Sequence, residues 1–157
     1  SEAQEKGATE IDDSFVPNQK LIQLPVSIRT QRAVDSIMAL KNISGGAMQT
    51  NNLADVTPKF IVLATTNTGN HPFSHIVKSR GDRDEYAALN IAGLHEVIND
   101  YKGSFIGNIF IGKRSGFFDD DEESLMSLVK EFNGLVVYGA INEMIDAYCE
   151  QLKEQMK

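Results

Sequence analysis

The sequence predicts an α/β (α+β) domain in which helical and strand-like segments alternate. Apolar residues recur at i, i+3 and i+4 in some segments, as in amphipathic helices, and form short continuous runs in others, as in buried strands. The length of 157 residues fits one domain, and a composition of 41% hydrophobic and 24% charged residues is ordinary for a globular protein. The chain begins without Met, which suggests processing or a piece of a longer protein.

The N-terminal third predicts an arm, a short strand and a helix. Residues 1–18 have few large apolar side chains, so we expect a disordered acidic arm there, followed by a single domain, or the C-terminal part of a larger one, over residues 19–157. Lys20–Leu24 is a strand candidate. From Ser27 to about Ile43 the spacing predicts a helix that Ser27 caps. Its predicted face consists of Thr30, Ala33, Val34, Ile37, Met38 and Lys41.

The middle of the chain predicts two strands, a helix and a third strand. The continuous apolar run Lys59–Thr66 indicates a buried central strand. Phe73–Lys78 is a weaker strand candidate, and Tyr86–Tyr101 has helical spacing. Ser104–Gly112 indicates a strand, with a bulge or tight turn at Gly107-Asn108.

The C-terminal part predicts a helix, a strand and a final helix. Five consecutive acids, Asp119–Glu123, suit the N-terminal end of a helix because of the macrodipole. That helix should run to Gly134, followed by a strand at Leu135–Tyr138 and a helix at Ala140–Met156.

Charge and cysteine content limit the possible environments. No apolar run approaches the roughly 20 residues of a membrane span, and the acidic start is unlike a signal peptide. Cys149 is the single cysteine, so we expect a reducing, cytoplasmic compartment. The net charge of −7 argues against nucleic acid, but residues 14–118 carry eleven Lys/Arg against seven Asp/Glu. The acidic ends therefore flank a mildly basic centre.

The stretch from Ser44 to Asn52 has the composition of a binding loop. Gly45 and Gly46 free the backbone to adopt φ > 0 or to approach a ligand closely. The residues that follow offer amides, hydroxyls and one thioether, and none is charged. Such a loop can line a polymer backbone with N–H groups but is poorly equipped for acid–base chemistry. It predicts a binding surface rather than a catalytic site.

The residue types around this loop follow an order found in a known family. The matching residues are Arg32-Ala33, Leu40, Ser44-Gly45-Gly46-Ala47-Met48-Gln49-Thr50 and Leu53-Ala54-Asp55-Val56-Thr57-Pro58-Lys59-Phe60-Ile61-Val62. This pattern resembles the repeated backbone subunit of Cascade-type CRISPR surveillance complexes, in its DevR-like branch. The resemblance covers about residues 29–75, and little is recognisable after Ser79.

The resemblance implies a modified RRM-like (ferredoxin-like) palm, of which this chain would be the C-terminal part, because family members are about twice as long. It implies a non-catalytic subunit that binds guide RNA along its sugar–phosphate backbone while the guide pairs with target DNA. Other copies of the chain and other Cascade subunits are the implied partners. Neither a cofactor nor a metal is expected.

We expect the RNA site to combine the loop with nearby cations. Glycine N–H groups would meet phosphate or ribose, Gln49, Thr50 and Asn51 would form hydrogen bonds, and Met48 would lie against a base. The complete predicted set is Arg29, Arg32, Lys41, Ser44, Gly45, Gly46, Met48, Gln49, Thr50, Asn51 and Lys59. The alternative is a helix C-terminus, an ordinary surface loop and solvated cations.

Three other patterns have structural explanations that we favour. His71 and His75 could share a metal only on a helix, which Pro72 disfavours. Lys113-Arg114 with Phe117-Phe118 could contact nucleic acid, but aromatics that anchor a loop beside two solvated cations explain it more simply. The Asp119–Glu123 run lacks the spacing of a calcium loop.

Two further function classes remain open. The first is an acidic α/β protein–protein adaptor whose helices Ser124–Phe132 and Ala140–Met156 carry the partner surface. The second is a small enzyme that uses residues such as His71 and Asp55. The sequence contains no Walker loop, no Gly-x-Ser-x-Gly and no His-Glu-x-x-His, which makes an enzyme the weaker alternative.

Overall fold

The computed structural model describes residues 2–43, 55–79 and 87–157. In chain order its elements are α1 (Glu2–Glu5), β1 (Thr9–Asp12), β2 (Lys20–Gln23), α2 (Val26–Met38) with a 3-10 turn (Ala39–Asn42), β3 (Phe60–Thr66), β4 (Val77–Ser79), β5 (Ala87–Leu89), α3 (Ile91–Asp100), β6 (Phe105–Lys113), a 3-10 turn (Asp119–Asp121), α4 (Glu122–Glu131), β7 (Val136–Ala140) and α5 (Ile141–Gln155). This mixture of helices and strands confirms the predicted α/β (α+β) class.

The main sheet has the strand order β3-β6-β7, with β3 antiparallel and β7 parallel to β6. The prediction that Lys59–Thr66 is the central strand is wrong, because β6 lies in the middle and β3 lies at the edge among the described strands. All seven residues of β3 are half-buried, whereas Ile109–Gly112 of β6 are buried. Helices cover both faces of the sheet, so an edge strand needs the same continuous apolar run as a central one.

Side chains alternate between two apolar layers. Ile109 and Ile111 of β6 point towards α3 and α4, whereas Phe110 packs with Met144 and Tyr148 of α5. Val34 of α2 joins α5 on that second face. The fold is therefore three-layered, and the RRM-like palm is not confirmed, because an RRM binds RNA on an open sheet face and both faces of this sheet carry helices.

The three strands of the sheet meet at one end that we call the carboxyl edge. β6 and β7 end there, since Lys113 pairs with Ala140, and β3 begins there, since Phe60 pairs with Lys113. The chain leaves β6 towards α4 on one face and leaves β7 towards α5 on the other. In open α/β sheets, ligands bind at such a point, where adjacent connections diverge.

The N-terminal segment differs from the predicted disordered arm. β1 and β2 form an antiparallel hairpin, and Lys20 pairs with Asp12 across it. Backbone pairing and this ion pair supply order that the apolar content alone does not indicate. Phe15, near the tip, is 92% exposed.

Two predicted helix starts change. Pro25 precedes α2 and no side chain caps it, so Ser27 is not the cap. The helix predicted over Tyr86–Tyr101 begins only at Ile91, because Ala87–Leu89 pairs with β4 and the Asn90 Oδ1 accepts a hydrogen bond from the Gly93 N–H.

Of the two predictions for Gly107-Asn108, a bulge or a tight turn, the structure shows an irregularity of the bulge type within β6. Leu63 lies opposite Phe110 but Thr65 lies opposite Ile106, so β6 has two extra residues between these pairs. Gly107 has a φ of +78°, a conformation that favours glycine. Side chains of α5 pair with the backbone of the bulge, since Gln151 accepts from the Asn108 N–H at 2.7 Å.

Candidate functional site

A crevice opens at the carboxyl edge, where the connections from β6 and β7 diverge. Its volume is about 360 Å³, and an adjoining cleft of about 500 Å³ extends it towards α4. The crevice is lined by Lys113, Arg114, Ser115, Ala140, Ile141 and Asn142. None of these side chains is acidic, whereas the adjoining cleft contains Asp119 and Glu122.

Lys113 is the centre of a charged network beneath this crevice. Only 6% of its side chain is exposed, and its Nζ lies 2.6 Å from Asp119 Oδ1 and 2.8 Å from Glu122 Oε2. It also donates to the Phe117 carbonyl at 3.1 Å. Burial disfavours the ammonium charge, but the hydrogen bonds to the two carboxylates outweigh burial and raise the pKa of Lys113.

Tyr138 completes the network from β7. Its hydroxyl donates to Glu122 Oε1 at 2.8 Å. Burial, together with this hydrogen bond, raises the pKa of Tyr138 to about 12. Hydrogen bonds from Lys113 and then Tyr138 lower the pKa of Glu122. At neutral pH the lysine therefore stays charged, the carboxylate ionised and the phenol neutral, which is the behaviour of a structural network rather than of an acid–base pair.

Arg114 connects this network to the start of β3. Its Nε donates to the Pro58 carbonyl at 3.0 Å, and its backbone N–H donates to the Lys59 carbonyl at 2.9 Å. The residue itself is exposed beside the crevice. Its position is fixed by backbone acceptors, so its charge is not neutralised by these two contacts.

Lys59 and Lys41, two of the predicted RNA-binding cations, lie near the carboxyl edge. Lys59 immediately precedes β3 and pairs with Asp55, and this hydrogen bond holds the pKa of Asp55 well below its usual range. Lys41 pairs with Asp146, in the second turn of α5, and α5 begins at the carboxyl edge. Thus the last described helical turn before the Ser44–Asn52 stretch and the first described segment after it both reach this edge.

Arg29 is separated from these two lysines. Its Nε donates to the Leu24 carbonyl at 3.1 Å, at the beginning of α2. Twelve residues at about 1.5 Å each place it roughly 18 Å from Lys41 along the helix direction. Thr30 nearby lines a pocket with Lys153 and therefore faces the far end of α5. Arg32 is exposed one turn further along α2.

The remaining predicted RNA-binding residues lie outside the described residues. They are Ser44, Gly45, Gly46, Met48, Gln49, Thr50 and Asn51. The described neighbours of this stretch are Ile43, after the 3-10 turn, and Asp55, whose carboxylate accepts from the Thr57 N–H at 2.9 Å.

The Lys113–Phe118 loop corrects one expectation. Phe118 anchors it, as predicted, by packing edge-on against Phe60 at 5.6 Å between ring centres. Lys113, predicted to be solvated, is instead buried by the acidic run that follows it. The loop turns back so that Asp119 also accepts from the Gly116 N–H at 3.0 Å.

The acidic run and His71 both have structural partners. Asp121 accepts from the Leu89 N–H at 3.0 Å, and Glu122 lies in the first turn of α4. His71 contacts the Ser74 hydroxyl at 3.3 Å within a turn. Within residues 2–43, 55–79 and 87–157, no group of three or more His, Cys, Asp or Glu is arranged to hold a metal.

Ser115, Asn142 and Tyr138 are the residues that sequence reasoning did not find. They are neighbours only because β6 and β7 end together. The available signal was weak. The predicted strand Ser104–Gly112 is followed directly by polar residues, as strands that end at a ligand site are, but Leu135–Tyr138 is followed by Gly139-Ala140-Ile141 before Asn142.

Comparison with protein-family models, curated proteins and solved structures finds no match for this chain. The family resemblance therefore depends on the motif residues alone. Among the described helices, none has both the length and the apolar run of a bilayer-crossing segment.

Proposed function

We propose that this chain is a non-catalytic, guide-RNA-binding backbone subunit of a CRISPR surveillance complex. It contacts the RNA sugar–phosphate backbone through the Ser44–Asn52 loop, with Lys41 and Lys59 beside it. The guide pairs with target DNA, and several copies of the chain assemble with other Cascade subunits in the cytoplasm.

One observation carries the proposal: the cations on either side of the Gly-Gly loop, Lys41 and Lys59, both lie near the carboxyl edge, with exposed Arg114 beside Lys59. Three basic side chains from distant parts of the sequence thus lie at one end of an otherwise acidic chain. Arg29, at the other end of α2, is left out of this site, and Arg32 has a peripheral position.

The ion pairs of the two lysines are compatible with RNA binding. The side chains of Lys41 and Lys59 are 17% and 36% exposed, and their partners Asp146 and Asp55 are more than half exposed. Exposed ion pairs contribute only about 0–1 kcal/mol, so a phosphate can replace Asp55 beside Lys59 at low cost. Lys41 is more buried than Lys59, but its partner Asp146 is exposed, so the outer side of that pair is open to a phosphate. Phosphate contacts carry no sequence information, as a subunit that must accept any guide requires.

The proposal is tested with the combined variant Lys41→Gln, Gln49→Ala and Thr50→Ala. We expect single-stranded RNA to bind about tenfold more weakly, by a similar factor for unrelated sequences, because the contacts are to the backbone. Loss of one phosphate contact should lower the salt slope by about 0.7. Fluorescence anisotropy at several salt concentrations measures both.

Lys153→Gln is the matched control, since Lys153 also forms a surface ion pair, with Glu150, but lies near the far end of α5. It should bind RNA like the wild type. Unchanged RNA binding by the triple variant in the assembled complex would remove the loop from the interface. Because the chain has no Trp and four Tyr, co-purified RNA is readily seen in the ratio of absorbance at 260 and 280 nm.

A further inference from the structure

A second concave surface lies between α3 and α4, away from the basic residues of the carboxyl edge. This groove has a volume of about 520 Å³. Ile91 and Ala92 line it with apolar atoms, the buried Leu128 lies beneath them, and Ser124 and Ser127 are small residues on the α4 side. Such a groove is wide enough for apolar side chains of a partner to enter between the two helices.

The charge of the groove is negative throughout. Glu96 and Glu131 line it, and no Lys or Arg does among the described residues. Glu131 is paired with His95, whose Nε2 lies 2.8 Å from its Oε1, while Glu96 is exposed. The surrounding acidity is general, because residues 119–157 contain ten Asp/Glu against three Lys.

His95 connects the two helices that form the groove. Its ring packs against Phe132 at 5.2 Å between ring centres, and its contact with Glu131 joins α3 directly to α4. Leu94 and Leu128, nearly completely buried, hold the same two helices on the sheet. A partner would therefore meet an ordered surface and would not have to separate the helices.

We propose that this groove docks a basic, amphipathic peptide segment of a partner protein. Its apolar side chains contact Ile91 and Ala92, and its Lys or Arg side chains pair with Glu96 and Glu131. Charge complementarity decides this choice, because the carboxylates repel both an RNA phosphate backbone and an acidic segment. The inference does not depend on RNA binding at the carboxyl edge.

The test uses three synthetic peptides of about fourteen residues, or four helical turns. The first combines Leu and Lys at helical spacing, the second replaces Lys with Glu, and the third replaces Leu with Ser. We expect saturable binding of the Leu/Lys peptide in isothermal titration calorimetry. The Leu/Glu and Ser/Lys peptides should each bind at least about tenfold more weakly, because one lacks the charge and the other lacks the apolar contacts.

Ser127→Gln locates the binding site, because it fills the groove without changing the charge. In the wild type, the Ser127 hydroxyl donates a hydrogen bond to the Glu123 carbonyl one turn earlier. The control Ser36→Gln removes the same kind of hydrogen bond from α2, where the Ser36 hydroxyl donates to the Arg32 carbonyl. We expect at least about a tenfold loss for Ser127→Gln and none for Ser36→Gln, with equal thermal midpoints. Glu96→Gln should weaken binding and reduce its salt dependence.

Three outcomes would overturn the proposal. The first is no saturable binding of the Leu/Lys peptide to the wild type. The second is equal binding of the Leu/Lys and Ser/Lys peptides, which would mean general attraction to an acidic chain. The third is equal binding by Ser127→Gln and the wild type, which would place the peptide elsewhere. Each leaves the RNA proposal unaffected, since that is measured on Lys41, Gln49 and Thr50.

Discussion

Two kinds of lysine lie at the carboxyl edge, and they differ in what surrounds them. Lys113 is 6% exposed and is held by two carboxylates and a carbonyl. Lys41 and Lys59 each pair with one aspartate and are 17% and 36% exposed. All three residues are lysines, but Lys113 has more fixed partners and less access to water than Lys41 and Lys59.

The difference indicates which lysines can serve a ligand. To bind a phosphate, Lys113 would have to leave Asp119 and Glu122 without a cation in a partly dehydrated site, which is costly. Lys41 and Lys59 would exchange one solvated anion for another. We therefore assign Lys113 to the stability of the fold and the other two to binding, and the following predictions test that division.

The largest effect is expected for Lys113→Met, which keeps most of the length of the side chain and removes its charge. Breaking a buried ion pair costs about 3–5 kcal/mol, and the exposure of Asp119 and Glu122 lowers the expected loss of unfolding free energy to about 2 kcal/mol. Urea unfolding followed by far-UV circular dichroism measures it, since the chain has no Trp. Lys59→Met removes a lysine from an exposed pair and should change stability by less than about 0.5 kcal/mol. Equal losses in both variants would abolish the distinction between the two kinds of lysine.

A smaller effect is expected on acidification. Hydrogen bonds from Lys113 lower the pKa of Asp119 and of Glu122 below their ordinary values of 3.8 and 4.5. As pH falls, the unfolded chain therefore protonates these two carboxylates before the folded chain does. The stability that they contribute is fully present above the ordinary pKa values and is lost as pH falls through the lowered pKa values.

Urea midpoints between neutral pH and about pH 3 measure this decline. In Lys113→Met the two carboxylates lose the cause of their lowered pKa, so we expect a shallower decline than in the wild type. The same acid dependence in both proteins would show that other groups govern it.

The smallest effect is expected for Tyr138→Phe, which removes one hydrogen bond to Glu122 and costs about 1 kcal/mol. The pKa of Tyr138 is raised from 10.0 to about 12. The stability linked to that shift is complete below pH 10 and is lost as pH rises towards 12. Tyr138→Phe should therefore show a shallower alkaline decline of stability than the wild type. Ultraviolet difference spectra that show Tyr138 ionising near pH 10 would contradict the shifted pKa.

Local patterns in the sequence predicted most elements but few of their contacts. The helical spacing after Ser27 and the apolar runs of β3 and β6 are sufficient to predict these elements. Burial of one helix face, or of a whole strand, leaves a recognisable pattern of apolar residues in the sequence. The acidic run Asp119–Glu123 was correctly assigned to the start of a helix. The ion pair of this run with Lys113 is not predictable in the same way, because a contact across a turned loop leaves no periodic pattern in the sequence.

The sequence by itself determined the α/β class, an irregularity at Gly107 and the approximate positions of α2, α4 and α5, because propensity and apolar period act over a few neighbouring residues. Only the tertiary structure decided that β6 is central, that Lys113 is more deeply buried than Lys41 and Lys59, and that Arg29 lies at the far end of α2. Those facts depend on which strand ends meet and on the direction in which helices pack, and neither is a property of any short stretch of chain.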